Sequence, residues 1–200
     1  MINNISDIIV NNQYNIGQIC TKRQCERGLS DKVALRWLDA NLTPHDYTFA
    51  QLDATSDRCA AMLQSQGFLS GDVLFLFLPK HPELFIALLG ALKLQLIVSV
   101  LFPNIGEEAI RERLEDSHAT GIVTCPLYLR KLAAASKGLP KQRIFLAGDA
   151  ATTLPEGILS FDELLADQAE TPFSVAISPP ETPSLLHYTS GSTGRPKGVL

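Results

Sequence analysis

Between residues 73 and 146, short and nearly continuous apolar runs recur, and helix-like segments separate them. The runs are 73–78 (VLFLFL), 96–101 (LIVSVL), 121–124 (GIVT) and 143–146 (RIFL). A strand with one wet face alternates polar and apolar residues. A run that stays apolar belongs to a sheet covered on both faces, which is the habit of parallel sheets. Between the runs, 82–93 opens on Pro82, 106–117 places Ile110 and Leu114 on one side of a charged helix, and 126–135 opens on Pro126. Strand and helix therefore alternate. The fold class expected is α/β, a largely parallel sheet with flanking helices on both faces. Hydrophobic residues make up 46% of the 200, enough for a substantial core, while charged residues are only 19%, which suggests a face meant to be covered by something larger.

The flanks divide the chain further. Residues 1–14 read as a loosely attached arm. Asn15 is suited to cap a short helix over 16–26 that Gly28 closes. Residues 33–38 read as a strand, and NLTPHD (41–46) as a turn. Thr48 is placed to cap a helix over 49–66, with Phe49, Leu52, Cys59, Ala60 and Leu63 as its apolar stripe and Gly67 as its stop. A last short helix is marked by Phe161, Leu164 and Leu165. Residues 167–183 hold Pro172, Pro179, Pro180 and Pro183 and read as a stiff linker. A short strand over 184–188 follows. The expected organisation is an α/β subdomain over 1–166, the linker over 167–183, and the start of a further segment over 184–200.

Several classes of function fit poorly. A net charge of −4 argues against a nucleic-acid binder. Cys20, Cys25, Cys59 and Cys125 form no C-x-x-C pair, so reduced thiols are expected rather than zinc or dithiol chemistry. The first fifteen residues lack the cationic start and long apolar core of a secretory signal. Residues 84–102 approach the length of a membrane span, but Lys93 and Gln95 interrupt them. Ala and Leu dominate before that point, and Ile and Val after it. A buried helix running into a buried strand is expected, without membrane insertion and in a cytoplasmic protein.

Chemistry concentrates at 188–200, YTSGSTGRPKGVL. Thr189, Ser190, Ser192 and Thr193 alternate with Gly191, Gly194 and Gly198; Arg195 and Lys197 bracket Pro196; and no acidic residue follows Glu181. Glycines allow close backbone approach, consecutive N–H groups can form an anion nest, and a lysine adds a point charge suited to phosphate. This is not a Walker loop. Counting from Gly191, the second glycine would fall at Pro196, and Gly198 stands where a hydroxyl residue belongs.

The order of these residues resembles the signature of the adenylate-forming superfamily, which contains acyl-CoA synthetases, aminoacyl-adenylating domains and luciferases. That signature is a hydroxyl pair, Gly, a hydroxyl pair, Gly, a variable residue and Pro-Lys-Gly. Residues 71–125 resemble the family's segment before the loop, and LFPNIGEEAIRERLEDS and LHYTSGSTGRPKG are similar to the acetyl-CoA synthetase branch. Two positions depart from the pattern: Gln95 where the family usually has Gly, and Val100 where it usually has Pro.

The resemblance implies the N-terminal part of an ATP-dependent acyl-CoA synthetase, inactive as this fragment alone. ATP, Mg2+, coenzyme A and a small carboxylic acid are the implied cosubstrates. Within the nucleotide-binding span 189–198, Thr189, Ser190, Ser192 and Thr193 would offer hydroxyls, and Gly191 and Gly194 backbone N–H groups. Lys197 would be the catalytic cation, Pro196 and Gly198 complete the motif, and Arg195, at the variable position, is expected to be a solvated charge. Two rivals stand beside this reading: an amino-acid-activating domain that loads a carrier protein, and a non-catalytic partner module.

Other residues attract blander readings. His187 is expected to be an ordinary strand-end histidine. His45, His81 and His118 lie in turn-like contexts with no metal site. Glu112, Glu115 and Asp116 are expected to form a solvated face with Arg111 and Arg113, and Tyr188 to pack beside the loop. Trp37 alone supports nothing specific.

Overall fold

The apolar runs pair side by side as expected. In a computed structural model, which describes residue 9 and residues 14–135, 143–148, 154–190 and 196–200, seven strands precede the terminal motif. They are β1 (Val33–Leu38), β2 (Pro44–Thr48), β3 (Val73–Phe77), β4 (Ile97–Val100), β5 (Gly121–Thr124), β6 (Ile144–Leu146) and β7 (Leu159–Ser160). The last five form one parallel sheet in the order β4-β3-β5-β6-β7. Helices α4 (Pro82–Lys93), α5 (Glu107–Asp116) and α6 (Pro126–Ala135) make the crossovers. The step from β3 to β4 runs opposite to the later ones, so right-handed crossovers put α4 on one face and α5 and α6 on the other. Helix α3 (Phe49–Ser65) packs on α4, and α5 on α6. Leu74, Phe75, Leu76 and Phe77 are all buried, as a doubly covered strand requires.

Local signals place the helices. The Thr48 hydroxyl accepts from the Gln51 N–H while the Gln51 side chain accepts from the Thr48 N–H, a reciprocal cap on α3. Asn15 caps α1 (Ile16–Cys20) through its Oδ1, which accepts from the Gln18 N–H at 3.0 Å. Its Nδ2 donates to the carbonyls of Leu92 (2.9 Å) and Ala176 (3.1 Å), so one buried amide joins the start of α1, the end of α4 and the proline-rich segment. Tyr14 bridges Ser178, so this end of the arm is attached; residues 1–8 and 10–13 lie outside the described residues.

Three features differ from expectation. The helix expected over 16–26 breaks at Thr21, resumes as α2 (Lys22–Gln24) and ends in a wider turn, Cys25–Leu29, in which Gly28 takes φ +81°. The segment NLTPHD is a turn only in its first half. Pro44, His45 and Asp46 belong to β2, which pairs antiparallel with β1, and Pro44 is tolerated as the strand's first residue. His45 is therefore a strand residue, and it and His81 flank Trp37 with ring centroids 5.1 and 4.9 Å away. Strand β7 was not expected at all. It leads into α7 (Phe161–Ala166), which Ser160 caps.

The apolar stretch 84–102 divides as its composition suggested, into α4 and β4, and no described helix is long and apolar enough to cross a membrane. Lys93 ends α4 fully buried. Its Nζ donates to Asp57 Oδ1 at 2.6 Å, Asp53 Oδ1 at 2.7 Å and the Asp53 carbonyl at 3.0 Å. Asp57 also accepts from the Phe173 N–H at 3.1 Å, which carries this charge cluster into the segment 167–183. Helices α3 and α4 touch at Gly90, where an added Cβ would lie 2.7 Å from Cys59 Sγ. Burial pushes the Cys59 thiol up to about 12, so it stays protonated and acts as a packing group.

Gln95 turns the chain from α4 to β4 with φ +62°, the left-handed region that glycine occupies without strain. This explains why a family with this turn would keep glycine there. Val100 sits within β4, opposite Leu76, with the strand unbroken. The Gln95 Oε1 accepts from Ser70 Oγ at 3.1 Å, but its Nε2 is buried without a partner among the described residues. Replacing Gln95 by glycine relieves the left-handed strain, about 1–2 kcal/mol, against a backbone-entropy loss of about 0.5–1 kcal/mol. The expected result is a higher urea midpoint for Gln95→Gly; a lower one would show that the Ser70 contact outweighs the strain.

Candidate functional site

The motif folds as a hairpin. Strand β8 (His187–Ser190) runs antiparallel to β9 (Pro196–Val199), with His187 opposite Val199, Tyr188 opposite Gly198, Thr189 opposite Lys197 and Ser190 opposite Pro196. The expected short strand over 184–188 is thus shifted. Leu185 forms a bridge to Val98, and the regular strand begins at His187. Thr189, Ser190, Pro196, Lys197 and Gly198, read from composition as loop, are paired backbone. The five residues between the arms, Gly191, Ser192, Thr193, Gly194 and Arg195, lie outside the described residues.

Alternation along each strand sorts the side chains. His187, Thr189, Lys197 and Val199 share one face, and all four are exposed. His187 has no ring hydrogen bond among the described residues, so the ordinary partner expected for it is not seen there. Tyr188 and Gly198 share the opposite face, which turns toward α5. The Tyr188 hydroxyl donates to Asp116 Oδ2 at 2.8 Å, the Arg113 carbonyl lies 3.3 Å from it, and the Arg113 guanidinium sits 5.3 Å from the ring centre. Burial, and then the hydrogen bond and charge of Asp116, push the Tyr188 phenol up to about 12, so it remains a donor at any physiological pH.

Gly198 leaves room for this ring. A Cβ there would lie 3.1 Å from Leu186 Cδ1 and 3.4 Å from Tyr188 Cε1. Where β9 begins, at the turn end of the hairpin, Arg111, Glu112, Glu115, Asp116 and Pro196 line a cavity of about 360 Å3. The carboxylates of α5 thus lie on the face away from Lys197.

The hairpin is joined to the sheet through β4. The Val98 N–H donates to the Ser184 carbonyl and the Leu186 N–H to the Val98 carbonyl, each at 2.9 Å. The acidic helix α5 pairs charges as expected at Arg111, which lies 3.6 Å from Glu108 and 4.0 Å from Glu115. Asp116 is exposed like Arg111 and Glu115 in that set, and its carboxylate also accepts from the Tyr188 hydroxyl. Nothing local in the sequence could have revealed this, since 72 residues separate the partners.

The model of AMP-binding enzymes matches residues 21–200. The chain belongs to the AMP-binding enzyme family. It is 38% identical over 180 residues to an acetyl-coenzyme A synthetase of Bacillus subtilis (strain 168), covering 89% of this chain and 31% of that protein. It is 30% identical over 198 residues to 4-coumarate--CoA ligase 3 of Oryza sativa subsp. japonica, covering 98% and 33%. Among solved structures, a Brucella canis acyl-CoA synthetase superposes with a TM-score of 0.87 at 28% identity, over 98% of this chain and 36% of that one. The chain therefore spans about a third of the length of the relatives it matches. The AMP-binding fold accounts for the five-stranded parallel sheet and its flanking helices.

Proposed function

We propose that the protein carrying this chain is an ATP-dependent acid–thiol ligase of the acyl-CoA synthetase type, and that residues 189–198 hold the triphosphate. The observation that carries this reading is the register of the hairpin. It sets Thr189 and Lys197 side by side on an exposed face and brings the two ends of a five-residue glycine-and-hydroxyl segment together.

The reaction proceeds in two steps. A carboxylate oxygen bonds to the α-phosphorus of MgATP, the α–β bridging bond breaks, and pyrophosphate leaves with the electron pair. The coenzyme A thiol then attacks the acyl carbon, AMP departs with the carboxyl-derived oxygen, and the thiol proton is released. Lys197 and the hydroxyls would neutralise the charge that grows on the leaving pyrophosphate, where donors placed in advance have most effect. Mg2+ enters with the nucleotide as part of the substrate.

Relatives named as acetyl-coenzyme A synthetases support a short-chain acid. In this reading the chain divides into 1–166, 167–183 and 184–200, and activity resides in the longer protein and not in this segment alone. The unpaired thiols among the described residues suit a reducing, cytoplasmic setting.

The test is product analysis with the full-length protein, ATP, coenzyme A and a panel of acids from acetate to hydroxycinnamate. Formation of AMP and acetyl-CoA is expected. Formation of ADP, or no nucleotide cleavage with any acid, would remove the proposal. Thioester on a carrier protein instead of coenzyme A would move it to the amino-acid-activating class.

A further inference from the structure

We infer that Asp116, at the end of α5, is a positioning residue for the phosphate-binding hairpin, acting through Tyr188; this rests on the function proposed above. Three independent features of the geometry point to it. First, the Tyr188 side chain hydrogen-bonds outside the hairpin, and the bond is short, 2.8 Å to a carboxylate. Second, Gly198 stands directly opposite Tyr188, and a Cβ there would crowd Leu186 at 3.1 Å and touch the Tyr188 ring at 3.4 Å. The ring therefore lies across β9 as well as β8, and one contact restrains both arms. Third, Arg113 covers the same ring and presents its carbonyl to the same hydroxyl.

Thr189 and Lys197 follow Tyr188 and precede Gly198, so the tilt of this ring sets where the ammonium and hydroxyl stand. A charge-assisted hydrogen bond is directional as well as strong. It fixes the hairpin's angle to the sheet more tightly than the two backbone bonds at Val98 alone. Asp116 touches no phosphate in this account; it sits on the far face and acts only through the phenol. Helix α5 and the nucleotide site are thereby coupled, and a shift of α5 would move the hairpin.

The experiment is steady-state pyrophosphate–ATP exchange in the full-length protein, comparing the parent with Tyr188→Phe, Asp116→Asn and the double variant. Each single change is expected to raise KM for MgATP about tenfold, the range for loss of a hydrogen bond to a charged group. The acid KM and the melting temperature should stay where they are. The double variant should be no worse than Tyr188→Phe alone, because Asp116→Asn acts through a bond that the phenylalanine has already lost. Unchanged KM for MgATP in an active protein would overturn the inference and leave the ligase reading intact. Additive effects, or parallel loss of acid affinity and melting temperature, would also overturn it by showing a merely structural role. If Tyr188→Phe fails to fold, Asp116→Asn, which alters a single atom of an exposed side chain, carries the test. If the parent itself shows no acid-dependent exchange, the ligase reading falls and takes this inference with it.

Discussion

Replacing Lys93 by methionine is expected to destabilise the protein by about 3–5 kcal/mol, the range for removing one partner of a buried ion pair. The ammonium is fully buried and is held by two carboxylates at 2.6 and 2.7 Å. Without it, Asp53 and Asp57, one turn apart on α3, lie at the α3–α4 contact with no cation between them. Asp57 would keep only the Phe173 N–H among the partners described for it. Desolvation makes this worse than a surface pair, for which the loss would be within about 1 kcal/mol. Equilibrium urea unfolding measures it. Adding Asp53→Asn and Asp57→Asn to Lys93→Met should recover a large part of the loss, because the uncompensated charge is gone. A Lys93→Met protein with the parent's midpoint would mean that the cluster is solvated and that α4 does not need it.

The second large effect is expected at Lys197. Lys197→Ala should slow acyl-adenylate formation by about 10²–10³-fold, the loss seen when one donor on a developing negative charge is removed. The side chain is exposed on β9, so its removal leaves the pairing of the hairpin alone and the melting temperature should not move. Single-turnover formation of adenylate, followed by quench and separation, gives the rate directly. Equal rates in variant and parent would place the catalytic cation elsewhere. A lowered melting temperature would show that Lys197 serves the hairpin's stability instead.

Periodicity carried most of the fold because each parallel strand is apolar through its length and each crossover helix has its own stop or start. Val73–Phe77 and Gly121–Thr124 could hardly be anything else once both faces of a sheet are covered. Thr48 with Gln51, and Asn15 before Ile16, are caps whose chemistry is local and therefore readable.

The misses have equally physical causes. Pro44, His45 and Asp46 are turn-forming residues by composition, yet a hairpin strand pairs on one side only and accepts a proline at its start. Leu159–Ser160 is too short to show any period. Gly191 to Gly198 reads as loop because glycine and proline dominate it, while the pairing of Pro196–Val199 with β8 is set by a partner strand and not by propensity.

Lys93 illustrates a different limit. Its presence in an apolar stretch correctly argued for a helix-to-strand break, but that it would be wholly buried depends on Asp53 and Asp57, 40 and 36 residues earlier. The same holds for Asp116. Its charge placed it on a wet helix face, and only the fold brings Tyr188 to it. At the candidate site the residue order of the motif was legible in the sequence, whereas its pairing as a hairpin and the contact between Tyr188 and Asp116 were not.

The central claim is that the hairpin grips the triphosphate of ATP while an acid displaces pyrophosphate from the innermost phosphorus. Exchange of labelled pyrophosphate into ATP by the full-length protein tests it most directly, since the reaction runs the first step backwards and needs no coenzyme A. The account predicts exchange that requires the acid, proceeds without the thiol and collapses in Lys197→Ala. Exchange that is indifferent to the acid, or that survives the loss of Lys197 undiminished, would contradict it.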